Sequence, residues 1–510
     1  MPKTATVDWE PLNAKPGALL ERPACRYQRQ FSLLNHFGMQ ANVIIAATFT
    51  NTKAGSIVLS KELIYAALQH VVRKYPELGI TTFCRPSETK TGQHRRWSAF
   101  LRQINLDAHV KFINIPAEEE VKGLTATIEN YHGLWFEPSI RPAWQLVIVN
   151  RRHILFVYDH YITDGRGGTY ILESILEALN SPKEQFVNSS IVEISTDVKG
   201  FPEEDAIKRA PVPVSVLYAV MNYLRFWGIW LLYRQKDLFF HEITPKFRKL
   251  DFNNPQKEDN LVKTRLHTLR LDAATMKRCI QACRSHRTSF TSLLHTLIKV
   301  TLAADFYPEA KFSHSQVVVD LRPFLKPHDR EQTVGNAASV VSSYDWLSKF
   351  RQAGQQTASK EHTSLESSLF WELARKHRAH VINDLNHKKT FLRAWQSIEL
   401  IGEDEEDYVA SFLPGLKLFQ RNAFSISNLG AFRPSVSVGQ DMHSGNWTIT
   451  NMEFSAGAVK AGYAANLMFN VAGVQDGPTT IHVCYEEGAF REDFVNSLLE
   501  RIKLRMDAII

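Results

Sequence analysis

Cysteine is scarce in this 510-residue chain: Cys25, Cys84, Cys279, Cys283 and Cys484 are all there is, an odd number at irregular spacing. A secreted disulfide scaffold is excluded by that pattern, and a reducing compartment suits it. Cys279 and Cys283 can share a helix face, but without Cys or His partners nearby no metal site is expected. The opening stretch, MPKTATVDWEPLNAKPGALL, has no basic segment followed by an apolar run, so no signal peptide is read and an intracellular, cytoplasmic protein is expected. Long Lys/Arg runs are missing too. The formal charge of +7, from 60 basic and 53 acidic residues, is spread along the chain, which argues against a nucleic-acid partner and leaves a mild field suited to an anionic substrate. There is no repeat of 20 to 50 residues and no low-complexity tract, which removes solenoids. Nor is there a G-x-S-x-G elbow, a P-loop, an H-E-x-x-H pair or a complete G-x-G-x-x-G, which removes several enzyme classes.

What is present is an ordinary globular composition, 44% hydrophobic and 22% charged, in a chain long enough for two lobes. Residues 41–49 (ANVIIAATF) read as a strand, and positions 61–75 carry apolar residues at helical spacing. WQLVIV and HILFVY, separated by Asn150, Arg151 and Arg152, read as a hairpin. Gly165 to Leu179 then reads as a helix, which puts the intervening HYITDG on a strand-to-helix turn. Six prolines between positions 181 and 260 mark a crossover, so the expected division is a first lobe at 1–195, a crossover at 196–260 and a second lobe at 261–510. Within the crossover, 212–233 is apolar almost all round; Asn222 and Arg225 near its middle favour burial or interfacial membrane contact over a span. The second half alternates again. A strand is expected over 263–271, a helix capped by Asp272, another beginning near Thr291, strands at 315–320 and 480–485, and helices near 364–383 and 491–505.

The chemistry-bearing candidate is His160-Tyr-Ile-Thr-Asp164-Gly165. With nineteen histidines a bare HxxxD arises about once by chance, and His380-Val-Ile-Asn-Asp384 is a second copy. That copy lies in a surface-type helical pattern, with Leu385 where the first has Gly165, and reads as coincidence. An imidazole at a strand end in a cleft titrates near neutrality and can take a proton from a hydroxyl or an amine. Asp164 can either touch that ring or face away and hold the loop through an ion pair; the spacing alone leaves both open.

The HYITDG motif, CRSHRTSFTSLLHTLIKV at 283–300, VDLRPFL at 319–325 with Gly335-Asn336, and Ser427-Asn428-Leu429-Gly430 occur in an order and spacing that resembles the fungal alcohol O-acetyltransferase family. That family sits within the chloramphenicol acetyltransferase-like group, with the BAHD acyltransferases and the peptide-synthetase condensation domains. The resemblance runs over roughly residues 25–505. It implies an α/β fold of two chloramphenicol acetyltransferase-like lobes, each a mixed sheet with flanking helices, and an active-site tunnel at their interface. It also implies that His160 sits midway along the tunnel and that Asp164 turns away to pair with Arg322, which makes Asp164, Gly165 and Arg322 architectural. The DFGWG signature of the plant branch is absent near the C-terminus, and SNLG stands in the comparable region.

The expected reaction is acetyl transfer from acetyl-CoA, or another acyl-CoA, to a small-molecule alcohol. His160 acts as general base, without metal, tightly bound cofactor or covalent enzyme intermediate. Ser427 and Asn428, or a main-chain N–H near Gly165, are the candidate donors to the oxyanion. Two alternatives remain: N-acetyl transfer to an amine, and a non-catalytic condensation-like binding protein. A monomer is expected, with peripheral contact to endoplasmic reticulum or lipid droplets if the 212–233 helix is not buried.

Overall fold

The computed structural model describes residues 18–52, 58–181, 189–194, 216–232, 235–243, 261–325, 334–354, 365–388, 403–407, 422–433, 447–460 and 465–510. Much of the expected crossover at 196–260 lies outside these. Along the first half come β1 (Ala18–Pro23), α1 (Arg26–His36), β2 (Val43–Asn51), α2 (Lys61–Lys74), β3 (Ile80–Pro86), β4 (His94–Leu101), β5 (Gln103–Asn105), β6 (Val110–Ile113), α3 (Glu120–His132), β7 (Trp144–Val149), β8 (His153–Tyr158), α4 (Gly165–Asn180), β9 (Ile191–Glu193) and α5 (Val216–Leu232). The second half adds β10 (Thr264–Leu271), α6 (Ala273–Ser285), α7 (Phe290–Thr301), β11 (Phe312–Asp320), β12 (Ala338–Trp346), α8 (Ser348–Gly354), α9 (Ser367–Asn383), β13 (Asn422–Phe432), β14 (Trp447–Ala456), β15 (Leu467–Val474), β16 (Thr479–Glu486) and α10 (Glu492–Ile509).

Two mixed sheets, each with its own apolar core, form the two lobes. The first has the order β14-β2-β8-β7-β6, and β7 and β8 are buried at every position because both sheet faces are covered. Their connection is the three residues 150–152: Asn150 and Arg151 both take positive φ (49° and 51°), and the Arg152 N–H bonds the Val149 carbonyl, which closes a tight hairpin. The second sheet has the order β10-β16-β15-β13-β11-β12. Asp272 caps α6 as its position in the sequence suggested, accepting from Thr275 N at 2.7 Å.

β14 belongs by sequence to the second half but pairs antiparallel with β2 in the first sheet. It carries Glu453, which accepts from the His482 ring of β16 at 2.9 Å; both side chains are buried, so the strand joins the lobes by a polar bond as well as by backbone pairing. A second tie is acidic. In the 403–407 segment Glu405 meets Arg96 of β4 at 2.5 Å, both fully enclosed, while Glu406 meets His94 at 2.7 Å.

Of the two positions expected for the 212–233 segment, burial or interfacial contact, burial is not what the described side chains of α5 show. On α5 the side chains of Val216, Leu217, Val220, Met221, Tyr223, Leu224, Trp227 and Leu231 are exposed, Leu217 to 72% and Leu231 to 68%. At ~100° per residue these eight fall within an arc of about 160°, so one face of the helix is apolar and turned to solvent. Periodicity alone could not separate this from burial, because an all-apolar segment has no polar face to mark which side faces out. No helix among the described residues is long and apolar enough to cross a membrane.

Candidate active site

The chain leaves the fully buried β8 at Tyr158 and turns into α4 at Gly165, so residues 159–164 form a short loop at the C-terminal end of the first sheet's central strand. Asp164 closes that loop as the N-cap of α4, its Oδ1 accepting from Gly167 N at 2.8 Å. The glycines are there for close approach. A Cβ on Gly167 would lie 1.9 Å from Thr163 Oγ1 and 2.5 Å from the Val334 carbonyl, and one on Gly165 would lie 2.9 Å from Leu429 Cδ2 and 3.1 Å from the Phe454 ring. Any larger residue at position 167 would push the 334–337 segment of the second lobe away from the motif.

His160 stands at this junction, partly exposed. Its ring stacks on Phe31 of α1, centroids 4.0 Å apart and planes within 6°. Asn336 Nδ2 donates to the His160 carbonyl at 2.9 Å and lies 2.9 Å from the ring's Nδ1. Burial lowers the pKa of the ring; its contacts with the main chain at His160 and Thr163 and the charge of Asp164 pull the other way but do not cancel it. That shift favours the neutral imidazole.

Asp164 faces away from that ring. Arg322 donates to both of its oxygens, Nη1 to Oδ2 and Nη2 to Oδ1, each at 3.1 Å, and Ala337 N donates to Oδ2 at 2.7 Å. Burial would raise the carboxyl pKa, but the Arg322 charge and the donors from Gly167 and Ala337 outweigh it and hold it below the ordinary range. Arg322 also bonds Asp320 at 3.0 Å and the Gly335 carbonyl at 2.8 Å. One guanidinium thus joins the end of β11, the 334–337 segment and the cap of α4.

A family model described as alcohol acetyltransferase matches residues 124–500 of this chain, the stretch that holds both halves of this junction. The chain belongs to the alcohol acetyltransferase family. It is an acyltransferase. An uncharacterized protein of Schizosaccharomyces pombe is 24% identical over 503 residues, covering 95% of this chain and 98% of the relative. The probable alcohol acetyltransferase crmB of Aspergillus fumigatus is 20% identical over 494 residues, 92% and 95% of the two chains. Among solved structures, the TRI3 trichothecene 15-O-acetyltransferase of Fusarium sporotrichioides superposes with a TM-score of 0.68 at 13% identity, covering 98% of each chain, which establishes the same fold.

In this acetyltransferase the structure brings His160, Asp164, Gly165 and Arg322 into one neighbourhood and sets Leu429 against Gly165. Ser427 and Asn428 lie within β13 and not in a turn between strands, and no hydrogen bond joins either to His160. Asn428 is engaged at both ends: Nδ2 donates to Thr291 Oγ1 at 3.0 Å, and Oδ1 accepts from Gly430 N at 2.8 Å, across a bulge where Gly430 takes φ +77°. His380, of the second HxxxD, is on the exposed side of α9 and bonds the Ser342 carbonyl at 2.9 Å. Two contacts of His160 were not foreseen. Phe31 sits on a helix the apolar pattern does not reveal, and Asn336 stands out in the sequence only as part of Gly335-Asn336. The signals available were the Tyr27 and Phe31 pair, four residues apart, and a Gly-Asn dipeptide after a Val. Among the described residues no group of three or more His, Cys, Asp or Glu side chains is arranged to hold a metal ion.

Proposed function

We propose that the enzyme transfers an acetyl group from acetyl-CoA to the hydroxyl of a small-molecule alcohol, with His160 as general base. The observation that carries this is an imidazole held below its ordinary pKa and stacked on Phe31 where the two lobes meet. The acceptor O–H gives its proton to the ring as its oxygen attacks the thioester carbonyl. The tetrahedral intermediate then collapses with C–S cleavage, and the imidazolium returns the proton to the departing thiolate. Asp164 and Arg322 serve this by fixing the loop and not by touching substrate. Incubating the purified protein with acetyl-CoA and a panel of alcohols and amines, following released thiol and product mass, tests the reading. Esters support it, amides move the acceptor to an amine, and no turnover with any acceptor contradicts acetyl transfer to a small-molecule alcohol.

The exposed face of α5 fits an interfacial position on a lipid surface. It is about 25 Å long at ~1.5 Å per residue, and Tyr223 and Trp227 pack together on it at 6.4 Å. Between positions 208 and 249 the sequence has eight Lys or Arg and two Asp or Glu, a balance that suits anionic headgroups.

A further inference from the structure

β12 (Ala338–Trp346) begins two residues after Asn336 and spans about 26 Å at ~3.3 Å per residue. At its far end a cavity of about 520 Å³ opens between β12, α7, α8 and α9. His295, Ser343, Lys349, Phe350, Lys376 and His377 are on its wall. None of them takes part in the chemistry described above.

Three polar atoms of this wall are buried without a hydrogen-bond partner: His295 Nδ1, His377 Nε2 and Ser343 Oγ. Buried polar groups are nearly always satisfied, so three around one cavity mark a place where a ligand or ordered water supplies the missing partners. The hydrogen bonds behind His377 decide what kind. Ser292 N donates to Ser289 Oγ at 3.3 Å, and Ser289 Oγ donates to Ser292 Oγ at 3.1 Å. The Ser292 hydroxyl is left to donate to His377 Nδ1, 3.0 Å away. Burial, reinforced by the Lys299 charge, lowers the pKa of His377 to about 3, so the ring is neutral and its single proton sits on Nε2. That N–H is a donor without an acceptor. The ring stacks on His295 with centroids 3.6 Å apart.

The charge of the wall points the same way. Among the described residues of the wall the only carboxylate, Asp345, is bonded to the fully buried ammonium of Lys299 and held below its ordinary pKa; burial opposes that shift but the Lys299 charge outweighs it. Lys376 and Lys349 are exposed at the cavity, Lys349 in a loose solvent-exposed pair with Glu372 at 3.6 Å.

We propose that this cavity is a second ligand site, separate from the acyl-transfer site, for a small molecule bearing an oxyanion. A carboxylate or phosphate accepts from His377 Nε2–H and the Ser343 hydroxyl, with Lys349 and Lys376 supplying countercharge and Phe350 an apolar wall for the rest of the molecule.

Full-length protein is titrated with inorganic phosphate and, separately, with acetate at constant ionic strength, and binding is read by calorimetry. The two arms distinguish phosphate from carboxylate recognition. Saturable binding of one equivalent of either is expected, weakened at least ten-fold in Ser343→Ala and in the exposed double variant Lys349→Ala/Lys376→Ala, and unchanged in His160→Ala. Saturation by neither anion overturns the proposal, since water then suffices to fill the cavity. So does binding that the Ser343 and lysine variants leave intact, or binding that excess coenzyme A abolishes, which would place the anion in the acyl-CoA region.

Discussion

Replacing Asp164 by alanine tests the junction between the lobes quantitatively. The carboxylate is 3% exposed and receives four N–H donors, two from Arg322 and one each from Gly167 and Ala337. Its loss leaves Arg322 enclosed, a change that typically costs ~3–5 kcal/mol, and removes the α4 cap, worth ~1 kcal/mol. Arg322 keeps Asp320 and the Gly335 carbonyl, so the charge term should fall near the lower end and the total near 4 kcal/mol. In Arg322→Ala the carboxylate keeps two main-chain donors, and a loss of about 3 kcal/mol is expected. Because both changes remove the same ion pair, the double variant should be less damaged than the sum by ~0.5–3 kcal/mol. Urea unfolding of all four proteins, followed by tryptophan fluorescence, measures this. The dependence on pH supplies a second check. The folded pKa of Asp164 lies below the free value of 3.8, so its contribution is fully present above that pH and is lost as the pH falls through the folded value. The deficit of Asp164→Ala should therefore be complete at pH 7 and shrink below about pH 4. Strictly additive losses, or an Asp164→Ala protein as stable as wild type, would refute the reasoning.

Asp159 behaves oppositely: burial pushes its carboxyl up to about 7, so it binds a proton in the folded state that the unfolded chain releases above 3.8. Stability should fall as pH rises through that window, and Asp159→Asn should unfold at higher urea than wild type at pH 8 and at similar urea at pH 4; no difference at pH 8 would contradict this. Asn336→Ala frees the His160 ring to shift, and kcat should fall on the order of 10²-fold with the KM for acetyl-CoA little changed; a KM effect alone would make Asn336 a binding residue. Desolvation of His160 should place the acidic limb of kcat/KM below 6.5, and a limb at or above that value would mean the ring is not desolvated in the free enzyme. Flotation with vesicles containing anionic lipid should carry the wild-type protein and lose it with Leu224→Glu/Leu231→Glu; equal recovery of both in the lipid fraction would exclude α5 as the contact.

The regular elements were legible where burial imposes one period. β7 and β8 are mostly apolar and bounded by a polar turn, and α4 begins at a cluster of glycines a short loop after β8. The sequence pattern does not show that β14 crosses into the first sheet, because partner choice between strands is a tertiary matter and each strand reads alike wherever it pairs. Of the site, His160 and Asp164 are close in sequence and so visible as a motif. The side chains that orient His160 come from positions 31 and 336, and nothing local marks a stacking phenylalanine or a bridging asparagine. The direction of Asp164 was open from spacing alone. In the structure Arg322 and two main-chain N–H groups turn it from the ring.

The central claim is that the imidazole of His160 takes the proton of the acceptor hydroxyl. The most direct measurement is thiol release from acetyl-CoA by His160→Ala, compared with wild type on the best alcohol from the panel, together with a urea transition showing that both proteins are folded. Loss of turnover by roughly 10² to 10⁴ with an unchanged transition is the predicted result. A folded His160→Ala enzyme that turns over at a near-normal rate would contradict the account.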